Sequence, residues 1–140
     1  MFPHTDNAVV VRTDFDNPQA WETVCELIRS PVQHAGETFY AYVDFVDDTE
    51  YQNLSTAEVI AAVPRHYKHS FLFIVDRNTL SSDDFPIVVA DLSESRHQTF
   101  RAVPGQIQNI ENNLSIANMD FEEFAEAVDE DETFHGFPTA

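Results

Sequence analysis

Basic residues are scarce in this chain, and so are glycine and cysteine. Seven Lys and Arg stand against 25 Asp and Glu in 140 residues, a formal charge of −18 at pH 7. Such a balance argues against direct binding to nucleic-acid phosphate, which needs cationic groups to displace counterions. It argues equally against anionic membrane surfaces. A cation or a basic protein is the kind of partner it attracts, solubility alone being the alternative. With three glycines in all, no dinucleotide or P-loop fingerprint exists, and neither does a Gly-x-Ser-x-Gly elbow. The single cysteine, Cys25, allows no intramolecular disulfide. It falls on the apolar stripe of a predicted helix, away from any helix N-terminus or cationic neighbour, which reads as a buried structural thiol rather than a nucleophile. No apolar run has transmembrane length. The start, MFPHTDN, lacks the basic and hydrophobic regions of a secretory signal, so the expected compartment is the cytoplasm.

The most specific run is Glu111 to Phe137, ENNLSIANMDFEEFAEAVDEDETFHGF. Asp120 and Glu123 have capping-box spacing. Phe121, Phe124, Ala125 and Val128 then recur at i, i+3, i+4 and i+7, which predicts a helix over about 121–128. Ile107, Ile110, Leu114 and Ala117 predict another over about 105–116, ended by Asn118. Asn112, Asn113 and Asn118 make an amide-rich helix joint. Four acids, Asp129 to Glu132, follow, and Phe134 and Phe137 lie in a tail expected to fold back onto the core.

This run resembles the C-terminal signature, ENNLSIANMDFEEFA, of an uncharacterised family of small acidic bacterial proteins, a domain of unknown function. VVRTDF followed by a Trp-bearing helix, the central FVDD and the segment HSFLFIVDR are similar to that family too. The resemblance implies no activity, cofactor or catalytic residue.

One domain, 1–140, is expected from the length. A chain of this size buries roughly two-thirds of its unfolded surface. The 43% hydrophobic content and twelve Phe residues supply the packing material. Ala8–Arg12, with three successive Val, reads as a buried strand. Asn17-Pro18 caps and opens a helix carrying Trp21, Val24, Cys25 and Ile28. Gln33 to Thr38 reads as a loop, and Phe39 to Val46 as the second strand. Ser55 and Glu58 box the start of a helix that Pro64 stops. Phe71–Val75 is the central strand. A polar loop runs from Asn78 to Phe85, and strands follow at Pro86–Leu92 and Thr99–Val103 with a turn at Ser93–His97. The order β-α-β-α-β-β-β-α-α predicts a mixed α/β sandwich, with α+β as the alternative. A single five-stranded sheet is expected, parallel at first and extended by an antiparallel meander.

Three sites follow from this topology. Asp14, Asp47 and Asp76 each come just after a parallel strand, with Asp48 beside Asp47. The carboxyl edge of an open sheet is where ligands bind. Carboxylates there suit Mg²⁺, which polarises phosphate or activates water; turn and cap roles are the alternative. His66 and His69 are three apart, a spacing that puts two imidazoles on one helical face for zinc, but no regular helix is expected there; no third ligand is obvious, though His34, His97 and His135 are conceivable, and a closed site needs four. Finally, Glu122, Glu123, Glu126, Asp129, Glu130, Asp131 and Glu132 concentrate charge that steers a basic partner. Phe134 and Phe137 would be its aromatic anchors, or would seal the core.

Two functions are therefore expected. The first is a non-enzymatic binding module for a basic protein, of inhibitor or immunity type, with no cofactor. The second is a Mg²⁺-dependent enzyme acting at Asp14, Asp47 and Asp76.

Overall fold

A computed structural model describes residues 2–93 and 98–137 of the chain. Among these described residues, strand β1 (Ala8–Arg12) is flanked by two parallel neighbours, β4 (Val43–Val46) and β5 (Phe71–Val75). β6 (Ile87–Asp91) runs antiparallel to β5, and β7 (Thr99–Ala102) antiparallel to β6. β8 (Thr133–Phe134) adds a short parallel edge to β7. The sheet order is β4-β1-β5-β6-β7-β8. The fold class is therefore the mixed α/β one expected, with six strands in the main sheet rather than five.

Every residue of β1, β5 and β6 is buried, because the sheet is covered on both faces. Val10, Phe71, Phe73, Val75, Ile87 and Val89 face one core. Val9, Val11, Leu72, Ile74 and Val88 face the other. Helix α1 (Pro18–Arg29) lays Trp21, Val24, Cys25 and Ile28 on the first face. Ile107 and Ile110 of α4 (Ile107–Ser115) and Phe124 of α5 (Phe121–Ala125) join them. Val59 of α2 (Thr56–Ala62) packs on the second, with Phe2, Tyr51 and Tyr67.

The caps follow the sequence. Asn17 Oδ1 accepts the Ala20 amide at 3.1 Å. Ser55 and Glu58 exchange reciprocal bonds of 3.1 and 3.0 Å. Glu123 accepts the Asp120 amide at 3.0 Å. α5 nevertheless ends at Ala125, short of the expected Val128.

Four elements differ from expectation. The predicted strand 39–46 is split. Its first residue belongs to a hairpin of β2 (Val32–His34) and β3 (Glu37–Phe39), turning at Ala35 and Gly36 with φ of 53° and 80°. Positive φ at both central residues is the primed turn that suits strand twist. Between β3 and β4 the backbone leaves the ladder, because side chains of α4 take its polar groups. Glu111 accepts the Tyr42 amide at 2.7 Å, and Asn112 donates to the Tyr40 carbonyl at 2.9 Å. The polar loop after β5 contains α3 (Arg77–Ser81), which Asp76 and Thr79 cap reciprocally. The folded-back tail is fixed as β8. The turn expected at Ser93–His97 lies mostly outside the described residues.

The fourth difference is at the α4–α5 joint. Ala117, not Asn118, takes the left-handed conformation, with φ of 54°. That costs an L-residue about 1 kcal/mol, which glycine avoids. Ala117→Gly is expected to raise the unfolding free energy by up to about 1 kcal/mol, read as a higher denaturation midpoint. An unchanged or lower midpoint would contradict the assignment of strain to this residue.

Candidate functional site

The carboxyl edge of the parallel strands comes first. Arg12 is buried at the end of β1, its guanidinium over the Phe15 ring at 4.3 Å and the Trp21 ring at 5.2 Å. It donates to Asp47 Oδ1 at 3.0 Å and to the Asp14 carbonyl at 3.1 Å. The Asp14 carboxylate accepts the Asp16 amide at 3.2 Å, a local turn bond. Asp48 accepts the Glu50 amide at 3.0 Å, capping a single 3₁₀ turn. Asp76 takes both arms of Arg101, at 3.0 and 2.9 Å, and the Thr79 amide at 3.0 Å. Burial pushes the Asp76 carboxyl up, but the Arg101 and Thr79 bonds outweigh it and hold the group below its ordinary value.

These aspartates do not assemble into the expected Mg²⁺ site. Asp14 and Asp76 border one small cleft, while Asp47 borders another beside Trp21 and Arg29. Among the described residues, no trio drawn from Asp14, Asp47, Asp48 and Asp76 brings its oxygens within 4.8 Å of one another. The arginines explain this: the side chains that topology delivers to the edge serve as caps and ion-pair partners.

Cys25 is buried, and burial pushes its thiol up to about 11, as expected of a structural cysteine. His66 stacks on His4 with ring centroids 3.7 Å apart. His69 Nε2 lies 2.6 Å from the Asp6 carbonyl, and Lys68 pairs with the Asp6 carboxylate. The segment His66–His69 thus contacts the N-terminal residues His4 and Asp6. His97 lies outside the described residues.

A groove of about 760 Å³ lies between the β2–β3 hairpin, α4 and the C-terminal tail. Six amide side chains line it, and no Asp, Glu, Lys or Arg does. Gln33 accepts the Thr38 hydroxyl at 3.0 Å; the other five are fixed by amide–amide bonds. Asn118 donates to Asn113, Asn113 to Asn109 and Asn109 to Gln106; Gln108 donates to Asn112. Beneath them the buried Glu111 carboxylate also accepts from Asn112 and Ser115, each at 2.7 Å. The amide joint read from the sequence is therefore real, and it also forms a groove wall. The spacing Gln106, Asn109, Asn113 is the signal that places these amides on one helical face. Phe39 and Phe137 add aromatic surface, and His34 and His135 the titratable groups.

Beside the groove lies the acidic face. Glu123, Glu126, Asp129, Glu130, Asp131 and Glu132 are exposed, and Glu122 is half-buried. Asp131 hydrogen-bonds His135 at 2.8 Å. That bond lowers the Asp131 carboxyl and raises the His135 imidazole. Phe134 is a correction: it is fully buried, against Phe124 at 5.4 Å and Phe137 at 5.0 Å. Its side chain seals the core and is not an anchor for a partner. Phe137 remains 39% exposed.

A family model described as a domain of unknown function, DUF6924, matches residues 7–137. The chain belongs to the DUF6924 family. The match spans the sheet, the groove and the acidic face together. No curated protein matches the chain. Among the described residues, no helix is long and apolar enough to cross a membrane.

Proposed function

We propose that this DUF6924 protein is a non-enzymatic binding module for a basic protein partner, engaged through the acidic face of α5 and β8 and the neighbouring amide groove. One observation carries the reading. No Lys or Arg follows Arg101 in the sequence, and Arg101 itself is committed to Asp76. The exposed acids from Glu123 to Glu132 therefore have no Lys or Arg of their own segment to neutralise them, and the titratable His135 meets only Asp131 in a direct pair among the described residues. Such a field steers a basic partner and raises its association rate. The groove supplies uncharged donors and acceptors in fixed orientation, the polar complement a bound chain needs. On this reading the protein works in the bacterial cytoplasm as an inhibitor- or immunity-type partner.

The test is affinity capture from lysate of the source organism with two baits. One is the wild type; the other carries Glu126, Asp129, Glu130 and Glu132 all changed to Lys. The expected result is a basic protein retained by the wild type at low salt, absent from the reversed bait, and released by salt. Identical protein sets on both baits would refute the reading.

A further inference from the structure

A second site lies at the lip of the groove. We propose that Asp84, Asp131 and His135 bind a first-row divalent transition metal, Zn²⁺ foremost. Their three donor atoms lie within 4.8 Å of one another, and Asp131 Oδ2 already stands 2.8 Å from His135 Nε2. Zinc holds nitrogen and oxygen ligands at about 2.0–2.2 Å, which puts the edge of its tetrahedron at roughly 3.3–3.5 Å. All three side chains are exposed, so binding asks the Asp131–His135 pair to open by about 0.5 Å and Asp84 to approach.

Asp131 and His135 are i, i+4 neighbours, and the sheet brings Asp84 to them. Asp131 and His135 bracket β8. Asp84 arrives 47 residues earlier in the sequence, just ahead of β6. Ile87 of β6 is in register with Ala102 of β7, and Ala102 with Phe134 of β8. Asp84, ahead of Ile87, and His135, after Phe134, are therefore brought to the same end of the sheet. The result is two carboxylates, with Asp129 also acting on the cluster, around one imidazole in a chain of charge −18. Unlike Asp47 and Asp76, neither carboxylate is held by an arginine among the described residues.

The donor set selects the ion. An imidazole nitrogen with two carboxylates suits zinc and its neighbours in the first row, whereas Mg²⁺ and Ca²⁺ take oxygen ligands. Three protein ligands leave a fourth position for water or a donor from a bound molecule. His135 also lines the amide groove, so the ion sits at the groove's edge. It would tie the β8 tail to the α3–β6 loop. This site does not depend on the basic-partner reading.

The test is calorimetric titration of the intact protein with ZnCl₂ and, at matched ionic strength, with MgCl₂. The wild type, Asp84→Asn, His135→Gln and the control Glu22→Gln on α1 are compared. One Zn²⁺ per chain is expected, weakened roughly tenfold or more by Asp84→Asn and by His135→Gln. Glu22→Gln is expected to match the wild type, and Mg²⁺ to give no saturable heat. Circular dichroism melts check that each variant is folded. Absence of saturable Zn²⁺ binding, or binding that neither ligand variant weakens, would overturn the site.

Discussion

Asp76→Ala lowers the unfolding free energy by about 3 kcal/mol, from two sources. Removing one partner of a buried ion pair costs ~3–5 kcal/mol because the other charge is left stranded. The Asp76 and Arg101 side chains retain about a quarter of their exposure, 26% and 27%, so the pair falls below that range, at about 2 kcal/mol. The variant also loses the cap of α3, worth about 1 kcal/mol. For a domain of this size the loss corresponds to a melting temperature lower by roughly 10 °C. Arg101→Met in the same background recovers part of it, because no buried guanidinium then lacks a partner. The pH dependence has a definite sign. The folded carboxyl lies below its unfolded value, so its contribution is complete above the unfolded pKa and is lost as pH falls through the folded one. The acid side of the stability curve is therefore less steep in Asp76→Asn than in the wild type. Urea unfolding from pH 2.5 to 7 measures both effects. A loss below about 1 kcal/mol would mean that Asp76 is not the structural hub described, and would reopen the carboxyl edge to a functional role.

Phe134→Ala has an effect of similar size for a different reason. Its ring is fully buried and meets Phe100, Phe124 and Phe137 edge to face. Truncating a buried Phe costs ~3–5 kcal/mol, the lost transfer energy together with the cavity left behind. Because Phe134 is also half of the two-residue strand β8, the variant frees the tail that follows the acidic run. Denaturant unfolding followed by the fluorescence of Trp21, the single tryptophan, reads the global loss. Early proteolysis near Asp129–Glu132 reads the local one. A variant as stable as the wild type would show that Phe134 is not the core residue described here.

These two residues show where sequence reading succeeds and where it stops. The buried strands were legible because Ala8–Arg12 and Phe71–Val75 are short apolar runs with turn residues at their ends. The helix starts at Asn17 and Ser55 were legible because capping is local. What was missed is non-local. The break between β3 and β4 depends on Glu111 and Asn112, about 70 residues downstream, whose side chains take the backbone groups of Tyr40 and Tyr42. β8 is two residues long, too short for periodicity to register. The strand-end aspartates were placed correctly at the carboxyl edge, but position could not reveal that Arg12 and Arg101 would claim Asp47 and Asp76. The approach of Asp84 to the local Asp131–His135 pair depends on the β6–β7–β8 register, which no local pattern encodes. The amides of α4 were visible as a spacing, whereas their role as a groove wall required the hairpin opposite.

The acidic face makes the central claim, and the salt dependence of association tests it most directly. The association rate constant for the captured basic partner is measured from 20 to 500 mM NaCl with the wild type and with the four-Lys variant. Electrostatic steering predicts a wild-type rate that falls by roughly ten- to a hundredfold across that range, as the screening length shrinks. The variant is expected to be slow at low salt and to depend little on salt. A wild-type rate that is flat with salt, or a variant that associates as fast as the wild type at 20 mM, would contradict the account.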